Sequence, residues 1–430
     1  MRQHALASTF LLVLVACSSD ATVPPQAPQQ PAATSSASFA VVAVADRLKA
    51  YIPEDSYSAD GHARLRVVDA AAKKSGGSGH LGEVDLGTSG RADAVAATPG
   101  LVIAIGVMYP VIWFVDPATD KVTSRIDLPD AYGAWNVSGR TAYMTGVIVD
   151  AARHRAYVSV WSGFIVLDLD SRAIVGDILV APTENFGFDP DRNRLVAPFY
   201  GCPPPETATG APPPCASYRS PDGTAITQGV NVVELASGEI FTYVDPAAPD
   251  QSAPAGLEPD AAAVDPTGNR VLVAAESSGE LLMLDLGATA SFDDATRTFT
   301  APKVTLSVAP SLTGLAIDTG SRLGFAMQED GALIAPLDFP TITADGFPAA
   351  ATMPDLPWAA GPWRGHGDPH GARTGVFEGN TVAWLTNVDH TWLARVDLAK
   401  LNQLSQANPG GVSVAEMASL VTYIYAYPAP

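Results

Sequence analysis

A short apolar strand that ends in an acidic residue recurs seven times along this chain of 430 residues. In the clearest copy, Val111–Val115 leads to Asp116, a turn follows at 117–120, and polar and apolar residues alternate over 121–127. A buried strand, a turn with Pro and Asp, and a half-exposed strand indicate a β-hairpin. The strand-end acids, spaced 47 to 66 residues apart, are Asp69, Asp116, Asp168, Glu234, Asp285, Asp338 and Asp397. Repetition with this period predicts a propeller or a solenoid.

A second pattern precedes four of these acids, because an aspartate stands four or five residues before an arginine. The pairs are Asp150 and Arg155, Asp189 and Arg194, Asp265 and Arg270, and Asp318 and Arg322. The spacing predicts a strand, a tight turn and a second strand, with the aspartate capping the turn through the backbone. We expect each arginine to pair with an acid or a carbonyl group at the start of the strand, which is a structural role.

Each repeat therefore has four strands, with a small-residue strand such as Ala261–Val264 innermost and an alternating strand such as Glu239–Val244 outermost. Four strands per repeat, closed in a ring, predict an all-β fold, a seven-bladed β-propeller. The 37 glycines and 36 prolines suit such a turn-rich chain. The best helical stretch is Val412–Leu420, and Tyr423–Tyr427 is expected to complete the last blade beside Phe39–Val44. The expected blades cover 39–88, 91–128, 141–180, 184–245, 260–308, 312–350 and 370–427.

The N-terminus has the pattern of a targeting segment, since Arg2 precedes the apolar run Phe10–Val15. Leu14–Cys17 resembles a bacterial lipobox, which implies cleavage before Cys17 and diacylglycerol on its sulfur. Ser18 favours the outer over the inner membrane, and a plain secretion signal with an incidental cysteine is the alternative. We expect a signal peptide at 1–16, a disordered tether rich in Pro, Gln and Ser at 17–38, and the propeller domain at 39–430.

The net charge and the cysteines limit the kinds of partner and the cellular compartment that we expect. The formal net charge of −20 repels nucleic acid, so we expect no nucleic-acid partner, a lipid anchor as the membrane contact, and a monomer. Cys202 and Cys215 flank a proline-rich loop, and an oxidising compartment allows them to form a disulfide. A metal site made of two cysteines alone would lack ligands.

The repeats resemble those of a known protein family. The stretches VIWFVDPATDKV at 111–122 and FIVLDLDSRAIV at 164–175 are similar to the repeat of the YVTN-type seven-bladed propellers, which belong with quinoprotein-dehydrogenase-like propellers. Ala156–Ser159 resembles the motif that names them. The resemblance covers about 39–427. It implies the fold, but such propellers include binding proteins as well as subunits of dehydrogenases and lactonases.

Loops that join one blade to the next are expected to converge on one face of the propeller, and the loop at 351–370 is the most unusual. His366, Asp368 and His370 supply two imidazoles and a carboxylate at alternate positions, a set suited to a divalent metal. Trp358, Trp363 and Arg364 are candidate ligand-binding residues, since two tryptophans can wall a pocket. The alternative is a rigid loop whose histidines bond to backbone carbonyls.

Glu184, Asn185, Glu258 and Asp260 lie in other loops of the same expected face. They loosely resemble the calcium-binding set of gluconolactonase-type propellers, although a turn-capping role is the alternative. No P-loop, nucleophile elbow or haem-attachment motif occurs.

The sequence thus favours a lipid-anchored binding or scaffold protein of the cell envelope, with a protein or glycan partner and no catalytic set. A metal-dependent envelope enzyme, lactonase-like or an oxidoreductase, is the alternative, and a third reading has the loops serving only as structural caps.

Overall fold

Each repeat of the sequence folds into an antiparallel sheet whose strands follow one another in chain order. The computed structural model describes residues 35–36, 38–54, 62–72, 79–87, 91–106, 111–128, 144–160, 163–200, 218, 223, 225–247, 252–256, 258–307, 312–328, 334–338, 340, 342, 369–387, 392–408 and 413–426. Seven such sheets form a seven-bladed β-propeller, as the repeat predicts.

The first three blades have four strands each. Blade one comprises β1 (Ala40–Val44), β2 (Arg47–Pro53), β3 (Ala63–Asp69) and β4 (His80–Gly87). Blade two comprises β5 (Ala92–Thr98), β6 (Leu101–Gly106), β7 (Val111–Asp116) and β8 (Lys121–Asp127). Blade three comprises β9 (Met144–Asp150), β10 (Arg155–Val160), β11 (Gly163–Asp168) and β12 (Ala173–Leu179). Strand β7 is almost wholly buried and β8 alternates between exposed and half-buried residues, which confirms the predicted hairpin.

Blades four and five share an element that the repeat pattern did not predict. Blade four comprises β13 (Gly187–Asp189), β14 (Arg194–Phe199), β15 (Gly229–Glu234) and β16 (Glu239–Tyr243). Blade five comprises β17 (Pro259–Asp265), β18 (Arg270–Ala275), β19 (Glu280–Asp285) and β22 (Lys303–Ser307). Between its last two strands lies a hairpin of β20 (Ser291–Asp293) and β21 (Thr298–Thr300). Strand β21 pairs in parallel with β16, so blade five covers the outer edge of blade four.

The last two blades are less regular. Blade six has three described strands, β23 (Leu312–Asp318), β24 (Leu323–Gln328) and β25 (Ile334–Asp338). Blade seven comprises β26 (Pro369–Phe377), β27 (Asn380–Asn387), β28 (Trp392–Asp397) and β29 (Val421–Ala426). Helices α1 (Leu398–Ala407) and α2 (Val414–Leu420) precede β29. The helical stretch predicted at Val412–Leu420 corresponds to α2, whereas α1 was not predicted; its N-cap is the repeat acid Asp397.

The C-terminal strand completes blade seven, but its predicted partner was wrong. Strand β29 pairs with β28, whereas β1 is the first strand of blade one and pairs with β2. The two blades are instead joined by side chains that donate to one carbonyl oxygen. Trp384 Nε1 donates to the Ala70 oxygen at 3.2 Å, and Arg395 Nη1 donates to the same oxygen at 3.0 Å. These contacts close the ring without a strand exchanged between its ends.

The core lies between the blades. Seven clusters of buried apolar side chains each join two neighbouring blades, and one of them joins blade seven to blade one. First strands of neighbouring blades also contact one another, as β5 contacts β9 and β17 contacts β23, so these strands surround the centre. Burial of apolar surface between blades therefore holds the ring together.

Three of the four Asp–Arg turns have the predicted backbone cap, whereas the Asp265 carboxylate receives Arg322. The carboxylates of Asp150, Asp189 and Asp318 accept backbone N–H groups of their own turns. Arg155 pairs with the repeat acid Asp168, and the Arg194 pair is of the same kind. Arg322 instead reaches Asp265 of the preceding blade, with Nη2 2.6 Å from Oδ2. The arginines of this pattern therefore form ion pairs within single blades and, at Arg322, between blades five and six.

Within the described residues, no helix has the length and apolar character needed to cross a membrane.

Candidate functional site

The loops that precede the first strand of a blade and the loops that follow its second strand lie on the same face of the propeller, and both hold candidate residues. In an antiparallel blade, the start of the first strand and the end of the second lie at the same edge. Glu184 and Asn185 precede β13, and Asp260 is the second residue of β17. Tyr200 follows β14 and Glu276 follows β18, at the same edge of the same two blades. We call this side the acid face and these five residues the acidic site.

The backbone brings the two predicted loops together. The Asn185 N–H donates to the Asp260 carbonyl oxygen at 3.2 Å, and the Ala262 N–H donates to the Asn185 oxygen at 3.0 Å. These two bonds form a parallel bridge between Asn185 and Ala261. Because the side chains at one level of a parallel pair lie side by side, the loop before blade four is held against the first strand of blade five.

The side chains of the acidic site are in contact across this pairing. Asn185 Nδ2 donates to Asp260 Oδ2 at 3.3 Å. The Tyr200 hydroxyl donates to Glu184 Oε1 at 2.7 Å. Asp260 is 4% exposed, whereas Glu184, Asn185, Tyr200 and Glu276 are only partly buried. The site is therefore a buried carboxyl group with a more open acidic rim.

Burial and neighbouring charges favour the protonated form of Asp260. Burial raises the pKa of Asp260 well above its ordinary value, and the charges of Glu184 and Glu276 raise it further. Among the described residues no donor reaches Asp260 Oδ1, and the carboxyl group hydrogen-bonds instead with that of Glu184. Two carboxyl groups can form a hydrogen bond only if one is protonated. Burial, followed by the charge of Glu184, raises the pKa of the Tyr200 hydroxyl, which therefore stays a donor.

Glu258 lies at the edge of the site and hydrogen-bonds to the neighbouring loops. Its N–H donates to Gln228 Oε1 at 2.5 Å, and its carboxylate accepts a hydrogen bond from the Ser277 hydroxyl. Its φ of 52° lies in the left-handed region. The Glu276 N–H donates to the Glu258 oxygen at 2.8 Å, so Glu258 braces the loop that carries Glu276.

A register irregularity recurs near the start of the first strand in five blades, on the acid face. In blades two, three, five, six and seven, the pairing of the first strand with the second skips a position near the start. Such bulges redirect side chains and are frequent beside functional sites. The skipped positions are Asp93, Thr145 with Gly146, Asp260, Thr313 and His370. In blade three, Thr145 Oγ1 donates to the Glu184 carbonyl oxygen at 3.2 Å.

His370 occupies in blade seven the register position that Asp260 occupies in blade five, since each is the skipped second residue of its strand. The other predicted residues of that loop, Trp358, Trp363, Arg364, His366 and Asp368, lie outside the described residues, as do Cys17, Cys202 and Cys215. In the part of the chain that the structure describes, no group of three or more His, Cys, Asp or Glu is arranged to hold a metal ion.

Sequence reasoning identified Glu184, Asn185 and Asp260 and missed Tyr200 and Glu276. It considered only the loops between blades, whereas these two residues follow second strands. The antiparallel order of the predicted strands was the signal that places both loop types on one face.

Solved structures share the propeller fold with this chain at low sequence identity. No family model matches the chain, and no curated protein matches it. A functionally unknown protein from Desulfotomaculum acetoxidans DSM 771 is 10% identical, with a TM-score of 0.51 over 85% of this chain and 96% of that one. Hydrazine synthase of Kuenenia stuttgartiensis is 14% identical, with a TM-score of 0.48 over 94% of this chain and 98% of that one. The Cps50 (Swd1) β-propeller domain of Myceliophteria thermophila is 10% identical, with a TM-score of 0.49 over 85% and 97%.

The similarity to the Desulfotomaculum acetoxidans protein supports the propeller fold alone. Membership of the YVTN type stays a prediction from the repeat residues.

Proposed function

We propose that this protein is a lipid-anchored binding protein of the bacterial cell envelope, attached to the outer membrane through Cys17. Its acidic site binds a protonated amine of the ligand, such as that of an amino sugar in a glycan or a lysine side chain. It acts as a monomer and without a metal. The lipobox-like Leu14–Cys17 supports the anchor, and the buried Asp260 carboxyl group supports the site.

The carrying observation is that, in the described part of the chain, no donor reaches the buried Asp260 Oδ1, which lies next to Glu184 and near Glu276. Burial makes the Asp260 carboxyl group costly to ionise, so its protonated form is favoured in the free protein. An ammonium group supplies three donors and a positive charge at this point. Tyr200 and Asn185 already donate to Glu184 Oε1 and Asp260 Oδ2, which leaves Asp260 Oδ1 as an acceptor for the ligand.

Binding of an ammonium group should therefore release the proton of Asp260 to solvent. Affinity then rises with pH for as long as the ligand amine stays charged, because less work is needed to ionise Asp260. Glucosamine is a suitable probe, and N-acetylglucosamine is its uncharged counterpart. We expect glucosamine to raise the melting temperature of the protein and N-acetylglucosamine to leave it unchanged.

Asp260→Asn should abolish the effect of glucosamine, and Asp177→Asn is the matched control because Asp177 is an exposed carboxylate on β12. An equal response of wild type and Asp260→Asn, or no response to any amine, would refute the amine site.

The anchor is tested separately. Wild-type protein should incorporate radiolabelled fatty acid and remain in the outer-membrane fraction after an alkaline wash, and Cys17→Ser should lose both properties. Release of the wild type by the wash would argue for a plain secretion signal.

The metal-dependent enzyme remains the competing proposal because His370 shares the register position of Asp260. Stoichiometric metal in protein purified without a histidine tag, lost on His366→Ala, would favour it over an amine-binding protein.

A further inference from the structure

The end of the predicted tether is docked in the propeller. Ser35 and Ser36 fall within the predicted disordered tether, yet in the structure they are only 6% and 5% exposed. Ser35 forms an antiparallel bridge with Gly187, at the start of the first strand of blade four. The chain then enters blade one at Ala40. We call Ser35–Ser36 the strap, because this short segment links blade four to blade one.

Ser36 satisfies both backbone groups of Phe186. The Ser36 N–H donates to the Phe186 carbonyl oxygen at 2.9 Å. The Phe186 N–H donates to Ser36 Oγ at 2.9 Å. Phe186 is fully buried in the folded chain, so loss of the strap would remove hydrogen-bond partners of its N–H and C=O groups.

Successive residues of an extended segment point their backbone groups to opposite sides. Asn185 directs its N–H and C=O at Asp260 and Ala262 of blade five, and Phe186 directs its own at the strap. Glu184, one residue earlier, is therefore held by a segment clamped between blade five and the strap.

Gly146 packs tightly against both the Glu184 backbone and Ser36 of the strap. A Cβ at this position would lie 2.8 Å from the Glu184 carbonyl oxygen and 3.0 Å from both Cβ and Oγ of Ser36. Real Cβ atoms hardly ever come so near, so glycine is needed where strap and site meet. The strap thus contacts the backbone that carries Glu184.

We infer that Ser36 is a positioning residue for the acidic site, and that the strap holds Glu184 at the distance from Asp260 that the site requires. The inference rests on the proposed function only for its effect on ligand binding. If Cys17 carries lipid, the 18 residues to Ser35 reach about 60 Å when extended. The acid face is then the side on which the tether leaves the propeller.

The test compares four variants of the full mature chain. Ser36→Pro removes the N–H donor and the Oγ acceptor, whereas Ser36→Ala removes only Oγ. Ser36→Thr keeps both and should restore wild-type behaviour. Ser38→Ala is the control, because Ser38 Oγ is a nearby buried hydroxyl without a partner among the described residues.

Two measurements need no ligand. Loss of the hydrogen bond should speed hydrogen exchange of the Phe186 amide by roughly five- to tenfold in Ser36→Ala, and further in Ser36→Pro. The infrared band of the protonated Asp260 carboxyl group, identified by its absence in Asp260→Asn, should disappear at a lower pH in both variants. Glu184 is then no longer held beside it. Ser38→Ala should match the wild type in both.

Unchanged exchange at Phe186 would show that the strap does not dock. Faster exchange with an unchanged carboxyl titration would make the strap a purely structural contact, and either result overturns the inference. If Ser36→Pro fails to fold, Ser36→Ala still decides. A shifted titration in protein that binds no amine would refute the proposed function and leave the role of Ser36 standing.

Discussion

Asn185 and Asp260, 75 positions apart in the chain, are joined through both backbone and side chain. The Asn185 N–H donates to the Asp260 carbonyl oxygen at 3.2 Å, and Asn185 Nδ2 donates to Asp260 Oδ2 at 3.3 Å. This pairing sets the first strand of blade five against the loop before blade four. It is the contact on which the acidic site depends, because it brings a second carboxyl group, that of Glu184, beside a buried one.

Asp260 should make the protein less stable as the pH rises. Its pKa is raised in the folded chain, so between the ordinary value of 3.8 and the raised one the folded chain binds the extra proton. The free energy of unfolding then falls with pH across this window, by up to about 1.4 kcal/mol per pH unit. Asp260→Asn removes the titration, so the variant should gain stability relative to wild type at about pH 8 and little at about pH 4.

Urea unfolding of wild type and Asp260→Asn across this pH range measures the difference in their free energies of unfolding. The contributions of other carboxylates cancel in this difference because both proteins contain them. A constant difference at every pH would show that Asp260 titrates normally.

Arg322 should contribute strongly to stability. Asp265, its partner in the preceding blade, has a fully buried side chain. Its Oδ2 accepts hydrogen bonds from Arg322 Nη2 at 2.6 Å and from Arg322 Nε at 3.1 Å. Arg322→Ala leaves that carboxylate unpaired, at an expected cost of about 3 kcal/mol. Arg125→Ala is the control, because both partners of the Arg125–Asp127 pair are about half exposed, and it should cost less than about 1 kcal/mol.

Adding Asp265→Asn to Arg322→Ala should restore part of the loss, since the unpaired charge is removed. Equal effects of the two arginine variants in chemical unfolding would contradict the assignment of Arg322 to a buried ion pair.

Gly146→Ala should be destabilising because its Cβ would be placed 2.8 Å from the Glu184 carbonyl oxygen and 3.0 Å from Ser36. We expect a loss of about 1–3 kcal/mol from overpacking. Gly176→Ala, in the outer strand β12, is the control, since a Cβ there meets no atom within 4 Å. Thermal unfolding distinguishes the two. A neutral Gly146→Ala would mean that strap and loop can move apart freely.

Cys202 and Cys215 should form a disulfide in exported protein. The residues three positions outside them, Phe199 and Tyr218, have ring centroids 5.3 Å apart, so the ends of the intervening loop are brought together. Closing a loop of this length should stabilise the fold by about 3 kcal/mol in the chain-entropy model. Without reductant, neither thiol should react with an alkylating reagent, as measured by mass spectrometry. Alkylation of both cysteines in periplasmic protein would refute the pairing.

The sequence by itself determined the blades. A strand that ends in Asp116, or a turn that begins at Asp265, is a local pattern in which alternation, β-branched residues and turn chemistry act over a few positions. Such patterns gave the seven repeats and the capping aspartates. The same patterns indicated Glu184, Asn185 and Asp260 as candidate site residues only because these residues lie at the ends of predicted loops.

The tertiary structure alone decided which distant residues meet. Tyr200 and Glu276 join the acidic site from loops within blades, β21 pairs with a strand of another blade, and Ser36 docks on Phe186. None of these contacts has a local signal, because each depends on how neighbouring blades pack and on which backbone groups the pleat leaves unpaired. The raised pKa of Asp260 follows from the same packing, since burial and a neighbouring carboxylate are properties of the closed ring.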